Sequence, residues 1–138
     1  MNFGEAQQIP MQLSRGCVVA SLQIDLSEEV ISRFRKDLLE FLRATGASSV
    51  ILDVSGLDVI DRDDFDALKL AMSMAKLMGA RSVVSGLKPG VVSSLIELGV
   101  DTKDINAALD LDDAFDVVDK LISEADLVDS TEHTSDDT

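Results

Sequence analysis

Acidic side chains are concentrated in one short stretch of the sequence, where an apolar strand pattern gives way to a helical one. Asp58, Asp61, Asp63 and Asp64 follow the apolar run 50–52. Clustered carboxylates could hold a divalent cation, or act as general acid and base if their environments differed. The N-terminus of a helix also presents unpaired backbone N–H groups, which favour a phosphate or an acidic partner. The residue types therefore indicate a functional region at this junction.

The rest of the sequence offers little support for catalysis. The single histidine, His133, lies in a polar C-terminal stretch, which argues against a Ser-His-Asp arrangement. Gly86 and Gly90 fit neither of the common phosphate-binding glycine spacings, and the aspartates miss the spacing of a calcium loop. Most of these aspartates stand where Asp commonly caps a helix or completes a turn. The sequence therefore predicts a protein that is not an enzyme and that carries no metal ion or cofactor.

Asp53 raises a different possibility, because it ends an apolar strand as the phosphoacceptor of a two-component receiver does. A receiver also needs an acidic pair after its first strand, since a lone carboxylate binds Mg²⁺ weakly. Here the first strands lead only to Asp25, with Leu26 next. The two-strand hairpin that opens the chain is also unlike a receiver. This interpretation is therefore disfavoured.

Hydrophobic periodicity predicts strands that alternate with helices. Short apolar runs at 11–13, 17–24, 50–54 and 81–85 are typical of strands, and 105–109 resembles an edge strand. Short strands separated by amphipathic helices imply crossover connections. The predicted fold class is therefore α/β, with a mixed, mostly parallel sheet.

Four amphipathic helices are predicted between these strands. The first begins after Ser27 and ends at Gly46, and the second covers about 63–78. The third begins at Pro89, and the last follows Asp110. Apolar residues recur every three or four positions in each helix, as a core-facing side requires. In the third helix the residues expected to be buried are Val92, Leu95, Ile96 and Leu98.

Composition limits the partners. The net charge is −14, with 26 acidic residues against 12 basic ones. Nucleic-acid binding needs a basic face, and anionic membranes attract basic proteins, so both are disfavoured. The lone cysteine, Cys17, cannot form an internal disulfide and fits a reducing cytoplasm. No apolar run is long enough for a membrane span, and no secretory leader is recognisable.

The predicted organisation is a single domain. Residues 1–8 are expected to be a flexible lead-in and 9–125 the folded domain. The last residues, 126–138, contain five acids and no Lys or Arg. A segment so polar and charged is expected to remain disordered.

Several segments together resemble a known family. VILDVSGLDVID at 50–61 is followed by KLMGAR at 76–81, VVSGLKP at 83–89 and LIELGV at 95–100. In this order and spacing they are similar to the STAS domain, the fold of anti-sigma-factor antagonists. The segments IPMQLSRGCVVASL and INAALDLDDAF make the chain look most like RsbS-type scaffolds of the stressosome. The resemblance extends from about residue 9 to 121.

The resemblance implies a non-enzymatic regulator that forms homo- and hetero-oligomers. RsbS-type proteins assemble with longer, RsbR-like STAS paralogues that carry sensory domains, and the shell holds an RsbT-like serine/threonine switch kinase. Under stress the kinase phosphorylates STAS subunits, leaves the shell and starts a signalling branch. The alternative within the family is a stand-alone antagonist that binds one anti-sigma kinase. A STAS domain that binds a small ligand is a third possibility.

One position departs from the family pattern. In RsbS relatives the Ile-Asp pair of this loop is followed by the phosphorylatable serine, whereas here Ile60-Asp61 is followed by Arg62. Arg62 is thus the phosphosite equivalent by position only. Two explanations remain open. The adjacent acids could give the loop a permanent, partly phosphate-like charge, or phosphorylation could shift to Ser85, which matches a second phosphorylation position of the longer paralogues.

Ser55, in the turn after the strand, is a further candidate for phosphorylation. We expect partner contacts from the loop and from the helix start, with the Ser85 turn beside them. The predicted partner-binding residues are Asp58, Asp61, Arg62, Asp63, Asp64, Phe65 and Gly86.

Overall fold

Strands and helices alternate along the chain in the order that the periodicity predicts. The computed structural model describes the backbone of residues 8–23 and 26–136, with side chains up to residue 127. The strands are β1 (Met11–Ser14), β2 (Cys17–Ser21), β3 (Ser49–Asp53), β4 (Arg81–Ser85) and β5 (Ala107–Ala108). The helices are α1 (Glu28–Thr45), α2 (Arg62–Leu77), α3 (Pro89–Glu97) and α4 (Leu111–Asp136). Asp25 and nearly all of the predicted lead-in 1–8 lie outside the described residues.

The five strands form one sheet in the order β1-β2-β3-β4-β5. β1 pairs antiparallel with β2, and the other neighbours pair in parallel. The register aligns Ser21 with Asp53, Asp53 with Ser85, and Ser85 with Ala108. Parallel strands end at the same edge, so the loops that follow β2 to β5 meet there, and we call it the site edge. The predicted α/β class with a mixed, mostly parallel sheet is confirmed.

Different helices cover the two faces of the sheet. Val50 and Leu52 belong to the core shared with α1, α2 and α3, whereas Ile51 between them belongs to the core shared with α4. Burial on both faces explains why the central strands are apolar almost throughout. The face with three helices contains the two fully buried phenylalanines, Phe34 and Phe65. Packing of α2 on this face fixes the loop that precedes it.

The predicted ends of α1 are confirmed. The Ser27 hydroxyl accepts a hydrogen bond from the Val30 N–H at 3.3 Å, as an N-cap does. At the other end Gly46 has φ 67°, and its N–H donates to the Leu42 carbonyl at 2.8 Å. A side chain would be strained in this left-handed conformation, which explains the glycine.

The buried side of α3 differs from the prediction. Val91 and Leu95 are buried, whereas Val92, Ile96 and Leu98 are 38%, 65% and 46% exposed. Two adjacent rows of this short helix are apolar, so periodicity does not distinguish them. Packing buries the row that is one residue earlier, and the other row remains in solvent.

The last helix is longer than predicted. α4 continues to Asp136, so the backbone of 126–136 is helical rather than the disordered acidic tail expected from composition. No Gly or Pro follows Asp110, and Ala125 continues the helical spacing of Leu121 and Ile122. Without a helix breaker, the packed N-terminal half of α4 can propagate the helix into the acidic segment.

Cys17 is buried in β2 beneath α4, with an exposed fraction of 3%. Burial raises the pKa of its thiol, and the negative charge of Asp119 raises it further. Both effects disfavour the thiolate, which is the reactive form. Cys17 therefore serves as a packing residue.

Candidate functional site

The loop after β3 and the turn after β4 lie side by side at the site edge. The Val54 N–H donates to the Ser85 carbonyl at 2.9 Å, which extends the β3–β4 ladder past the end of β3. The Gly86 N–H donates to the Ala108 carbonyl at 3.1 Å. Backbone pairing therefore brings together the two segments that the sequence singles out.

Asp53 organises the first turn of the loop. Its Oδ1 accepts one hydrogen bond from the Ser55 N–H at 3.0 Å and another from the Ser55 hydroxyl at 2.7 Å. An aspartate that bonds the backbone two residues ahead forms an Asx turn. The carboxylate thus shapes the loop.

Gly86 allows the two segments to approach closely. It has φ 81°, and a Cβ at this position would stand 2.8 Å from the Ser55 Cβ and 3.1 Å from its Cα. Neither atom can move far, because the Asx turn holds Ser55. Gly86 is therefore required by the backbone, both for its conformation and for its lack of a side chain.

We expect Gly86→Ala to lower the free energy of unfolding by about 2 kcal/mol or more, because strain and overlap with Ser55 add together. Chemical denaturation of both proteins measures the change. Gly90→Ala is the matched control, since nothing lies within 4 Å of a Cβ there and φ is ordinary. Equal stability of the two variants would contradict the close approach.

Between the turn and α2 the loop is held by two apolar anchors. Leu57 and Ile60 are buried, at 6% and 2% exposure, while Val59 is 79% exposed. The Leu57 N–H also donates to the Val54 carbonyl at 3.0 Å. The anchors thus present Asp58 and Val59 to solvent from a fixed backbone.

The N-terminus of α2 is capped by the chain itself. Asp61 is the N-cap, and its Oδ1 accepts from the Asp64 N–H at 2.8 Å. Asp63 and Asp64 lie in the first turn, where carboxylates interact favourably with the helix dipole. Their own carboxylates therefore occupy the terminus that could otherwise have received an anion.

Crowding of these acids perturbs Asp64. Partial burial raises the pKa of Asp64 above its ordinary value of 3.8, and the charge of Asp61 raises it further. The folded protein holds this proton more tightly than the unfolded chain. Asp64 therefore favours folding at pH values below 3.8, and this contribution is lost as the pH rises through the raised pKa.

Asp61→Asn is expected to lower the pKa of Asp64, because asparagine keeps the capping oxygen but removes the charge. NMR titration of the side-chain carboxyl carbons measures it. Asp112→Asn, in the first turn of α4, is the control and should leave Asp64 unchanged. An Asp64 pKa that is the same in Asp61→Asn and in the wild type would refute the electrostatic coupling.

Arg62 occupies the first helical position of α2 with its side chain 61% exposed. Its Nε lies 4.0 Å from Asp66 Oδ2, and its Nη1 donates to the Leu98 carbonyl at 3.5 Å. A cation is favourable at the C-terminal end of α3, where the helix dipole is negative. Arg62 therefore links the start of α2 to the end of α3, and its side chain remains accessible to solvent.

Asp58 joins the two loops of the site edge from outside. Lys88 lies in the turn after β4, and its ammonium donates to Oδ1 of Asp58 in the loop after β3. This hydrogen bond, together with the charge of Lys88, lowers the pKa of Asp58 below its ordinary value. Both side chains are exposed, so the ion pair adds little to stability.

A groove opens beside this loop, between the N-terminal halves of α1 and α2. Its volume is about 890 Å³. The rim is mainly acidic, and the apolar residues that line the groove are Leu26, Ile31, Leu57, Val59, Ala67 and Leu70. The acidic residues that line it are Glu28, Asp61, Asp63, Asp64 and Asp66, with Arg35 as the cation. We call this the acidic groove.

Two of the predicted site residues are not accessible. Phe65 is 1% exposed, so it anchors α2 in the core and offers no contact surface to a partner. Ser85 is also 1% exposed, and its hydroxyl has no hydrogen-bond partner among the described residues. A kinase cannot reach Ser85 in this conformation. Ser55 is exposed, and the predicted acids and Arg62 lie together around the loop.

Sequence reasoning missed Val59 and Lys88. The run Leu57-Asp58-Val59-Ile60 contains three apolar residues in a loop too short to bury all of them, which was the available signal for Val59. Lys88 directly precedes the predicted start of α3, and nothing in its local pattern indicates a partner. Its pairing with Asp58 depends on two loops meeting in space.

The described part of the chain contains no group of three or more His, Cys, Asp or Glu side chains arranged to hold a metal ion. None of the helices described is both long and apolar enough to cross a membrane.

The fold and the loop define the class of protein. The family model for the STAS domain matches residues 8–114, and the chain therefore belongs to the STAS-domain family. The family predicted from the sequence is confirmed.

Solved structures of similar fold include proteins of the stressosome. A serine-to-glutamate variant of RsbS from Moorella thermoacetica is 25% identical, with a TM-score of 0.72 over 83% of this chain and 97% of that one. A chain of the stressosome, a signal integration and transduction hub, is 26% identical, with a TM-score of 0.72. The match covers 82% of this chain and 98% of that one. The RsbT co-antagonist protein RsbRD of Bacillus subtilis (strain 168) is 22% identical over 95 residues. The match covers 69% of this chain but only 34% of that relative.

Proposed function

We propose that this chain is a non-enzymatic scaffold that co-assembles with longer, RsbR-like STAS proteins and sequesters an RsbT-like serine/threonine kinase. Its likeness to RsbS, which extends along nearly all of that protein, supports this assignment. The exposed Val59 on a rigidly anchored acidic loop is the observation that carries it, because such a surface is suited to a partner. Signalling then depends on which subunits dock, and no bond is made or broken by this chain.

The acidic groove provides the proposed kinase contact. Val59 and Leu70 are 79% and 50% exposed, and removing them from water would favour association. The carboxylates on the rim would attract a partner with a basic face and repel an acidic one. The anchors Leu57 and Ile60 hold the loop in place, so binding requires little ordering of the backbone.

Fixed carboxylates take the place of a phosphorylation switch in this proposal. Arg62 has no hydroxyl, and Ser85 is buried. Ser55 is exposed, but its hydroxyl donates to Asp53, so a phosphate there would lose this bond and meet a carboxylate. Of the two explanations left open by the sequence, the permanently charged loop is therefore favoured. Release of the kinase would be controlled through the paralogous subunits.

The test is co-purification of this chain with a paralogous STAS protein and a serine/threonine kinase from the same genome. We expect a particle far larger than a dimer by light scattering, with kinase bound. Val59→Asp should release the kinase and leave the particle intact. Leu13→Asp is the matched control, since Leu13 is 51% exposed on β1, away from the groove.

Two outcomes would oppose the proposal. Kinase retention by Val59→Asp would show that the acidic groove is not the contact. A one-to-one complex with a kinase, with no larger particle when the paralogue is present, would instead support the stand-alone antagonist.

A further inference from the structure

A basic groove interrupts the acidic surface at the edge opposite the site edge. It lies between the C-terminal half of α2, the start of β4 and the loop before β5, and its volume is about 540 Å³. Lys69, Lys76, Arg81 and Lys103 line it, and Asp104 is the one acid among the described lining residues. Four positive charges and one negative charge give a local net charge of +3 in a chain of −14. We call this the basic groove.

The four cations are not neutralised by neighbouring acids. Among the described residues, no carboxylate oxygen lies within 4.0 Å of any of their nitrogen atoms. Lys69 Nζ donates to the backbone carbonyl of Asp101 at 2.8 Å. The carboxylate of Asp101 accepts from the Lys103 backbone N–H at 3.1 Å and is thus used by the turn. Gathering unpaired cations costs free energy through repulsion, which an anionic occupant would relieve.

The chain itself carries a segment of the opposite charge. Residues 126–138 contain no Lys or Arg, and their five acids are Asp126, Asp129, Glu132, Asp136 and Asp137. The backbone of α4 is helical to Asp136, although among its described side chains, which end at residue 127, Ile122 is the last that packs on the core. Leu127 is already 70% exposed. The backbone of α4 therefore continues for about 20 Å beyond its last described core contact, and we call this part its projecting end.

Topology places this projecting end at the same edge as the basic groove. The guanidinium of Arg15, in the turn between β1 and β2, lies 4.6 Å from the centre of the Phe115 ring. α4 therefore runs from the site edge toward the opposite edge. Its 26 residues span about 39 Å, more than the roughly 17 Å of a five-residue strand, so its end extends past the opposite edge. The groove, however, is on the face covered by α2, and α4 is on the other face. A continuous helix cannot turn back into its own groove.

We propose that the acidic end of α4 docks into the basic groove of a second copy of this chain, so that two copies join reciprocally. A two-fold axis in the plane of the sheet, parallel to this edge, places the α2 face of one copy on the same side as the α4 face of the other. Each projecting helix then passes over the groove of its partner. The contact is isologous and closes as a dimer, and it leaves the site edge of both copies free.

The test is sedimentation of the full chain at low and at physiological ionic strength. We expect a dimer that weakens as salt rises, because the contact is made of exposed charges. Lys76→Glu combined with Lys103→Glu should raise the dimer Kd about tenfold or more. The control combines Lys36→Glu with Arg43→Glu on α1, which changes the net charge equally and should leave the Kd unchanged.

A charge swap identifies the occupant. Asp126→Lys with Asp129→Lys should also weaken the dimer, and combining these changes with the two groove reversals in one chain should restore it. A chain that is monomeric at low salt would overturn the proposal. So would a dimer whose Kd is unchanged by Lys76→Glu combined with Lys103→Glu. Groove variants that weaken the dimer while tail variants do not would also overturn it, because the occupant would then be another anion.

Discussion

Phe65→Ala is expected to lower the free energy of unfolding by about 3–5 kcal/mol. The ring is 1% exposed and lies one turn inside α2, in the core between the sheet and α1. Its removal takes away buried apolar surface and leaves a cavity that the surrounding aliphatic side chains cannot fill. The loop that carries Val59 depends on the same packing, so partner binding should fall together with stability.

Urea denaturation measures this change, with the slope of the unfolding curve checked for constancy. Leu70→Ala is the matched control because Leu70 is on the same helix and 50% exposed, and its effect should be within about 0.5 kcal/mol. A loss below about 1 kcal/mol for Phe65→Ala would mean that α2 is not anchored as described.

Arg62→Ser should create a phosphorylation site at a position where the wild-type side chain has no hydroxyl. Position 62 is the accessible first residue of α2, and a hydroxyl is the group it lacks relative to the family pattern. We expect the kinase proposed as a partner to transfer one phosphate to the variant and none to the wild type. The added phosphate would face Asp63 and Asp66, so repulsion should also weaken kinase retention.

Intact-mass spectrometry after incubation with kinase and ATP decides the matter. Arg62→Ala should remain unlabelled, which separates the gain of a hydroxyl from the loss of a guanidinium. The double variant Arg62→Ser with Ser55→Ala should still accept one phosphate. Labelling of the wild type, at Ser55 or at Ser85, would show that a phosphorylation switch persists in this subunit and would contradict the fixed-charge proposal.

Elements governed by local chemistry were predictable from the sequence. Ser27 and Gly46 cap the two ends of α1 as predicted. Asp110 caps the start of α4, where its Oδ1 accepts a hydrogen bond from the Asp113 N–H at 2.8 Å. β4 has the predicted bounds, Arg81–Ser85. Caps and strand patterns depend on residues within a turn of one another, so the sequence alone contains the information.

Features that depend on neighbours distant in the chain were not predictable in the same way. The apolar rows of α3 are equivalent until the sheet selects Val91 and Leu95. Ser85 resembles an exposed turn residue until α4 covers that face of β4. At the site, the acids of the loop were foreseen, whereas the Asp58–Lys88 pair depends on how two loops meet.

The burial of Cys17 beneath α4 has a consequence for observing motion. The thiol sits under Ala114, Phe115 and Val118, and its raised pKa keeps it protonated near neutral pH. An alkylating reagent must therefore wait until the last helix lifts from the sheet. The speed of that modification would report how often the covering helix separates, without any label being introduced into the protein.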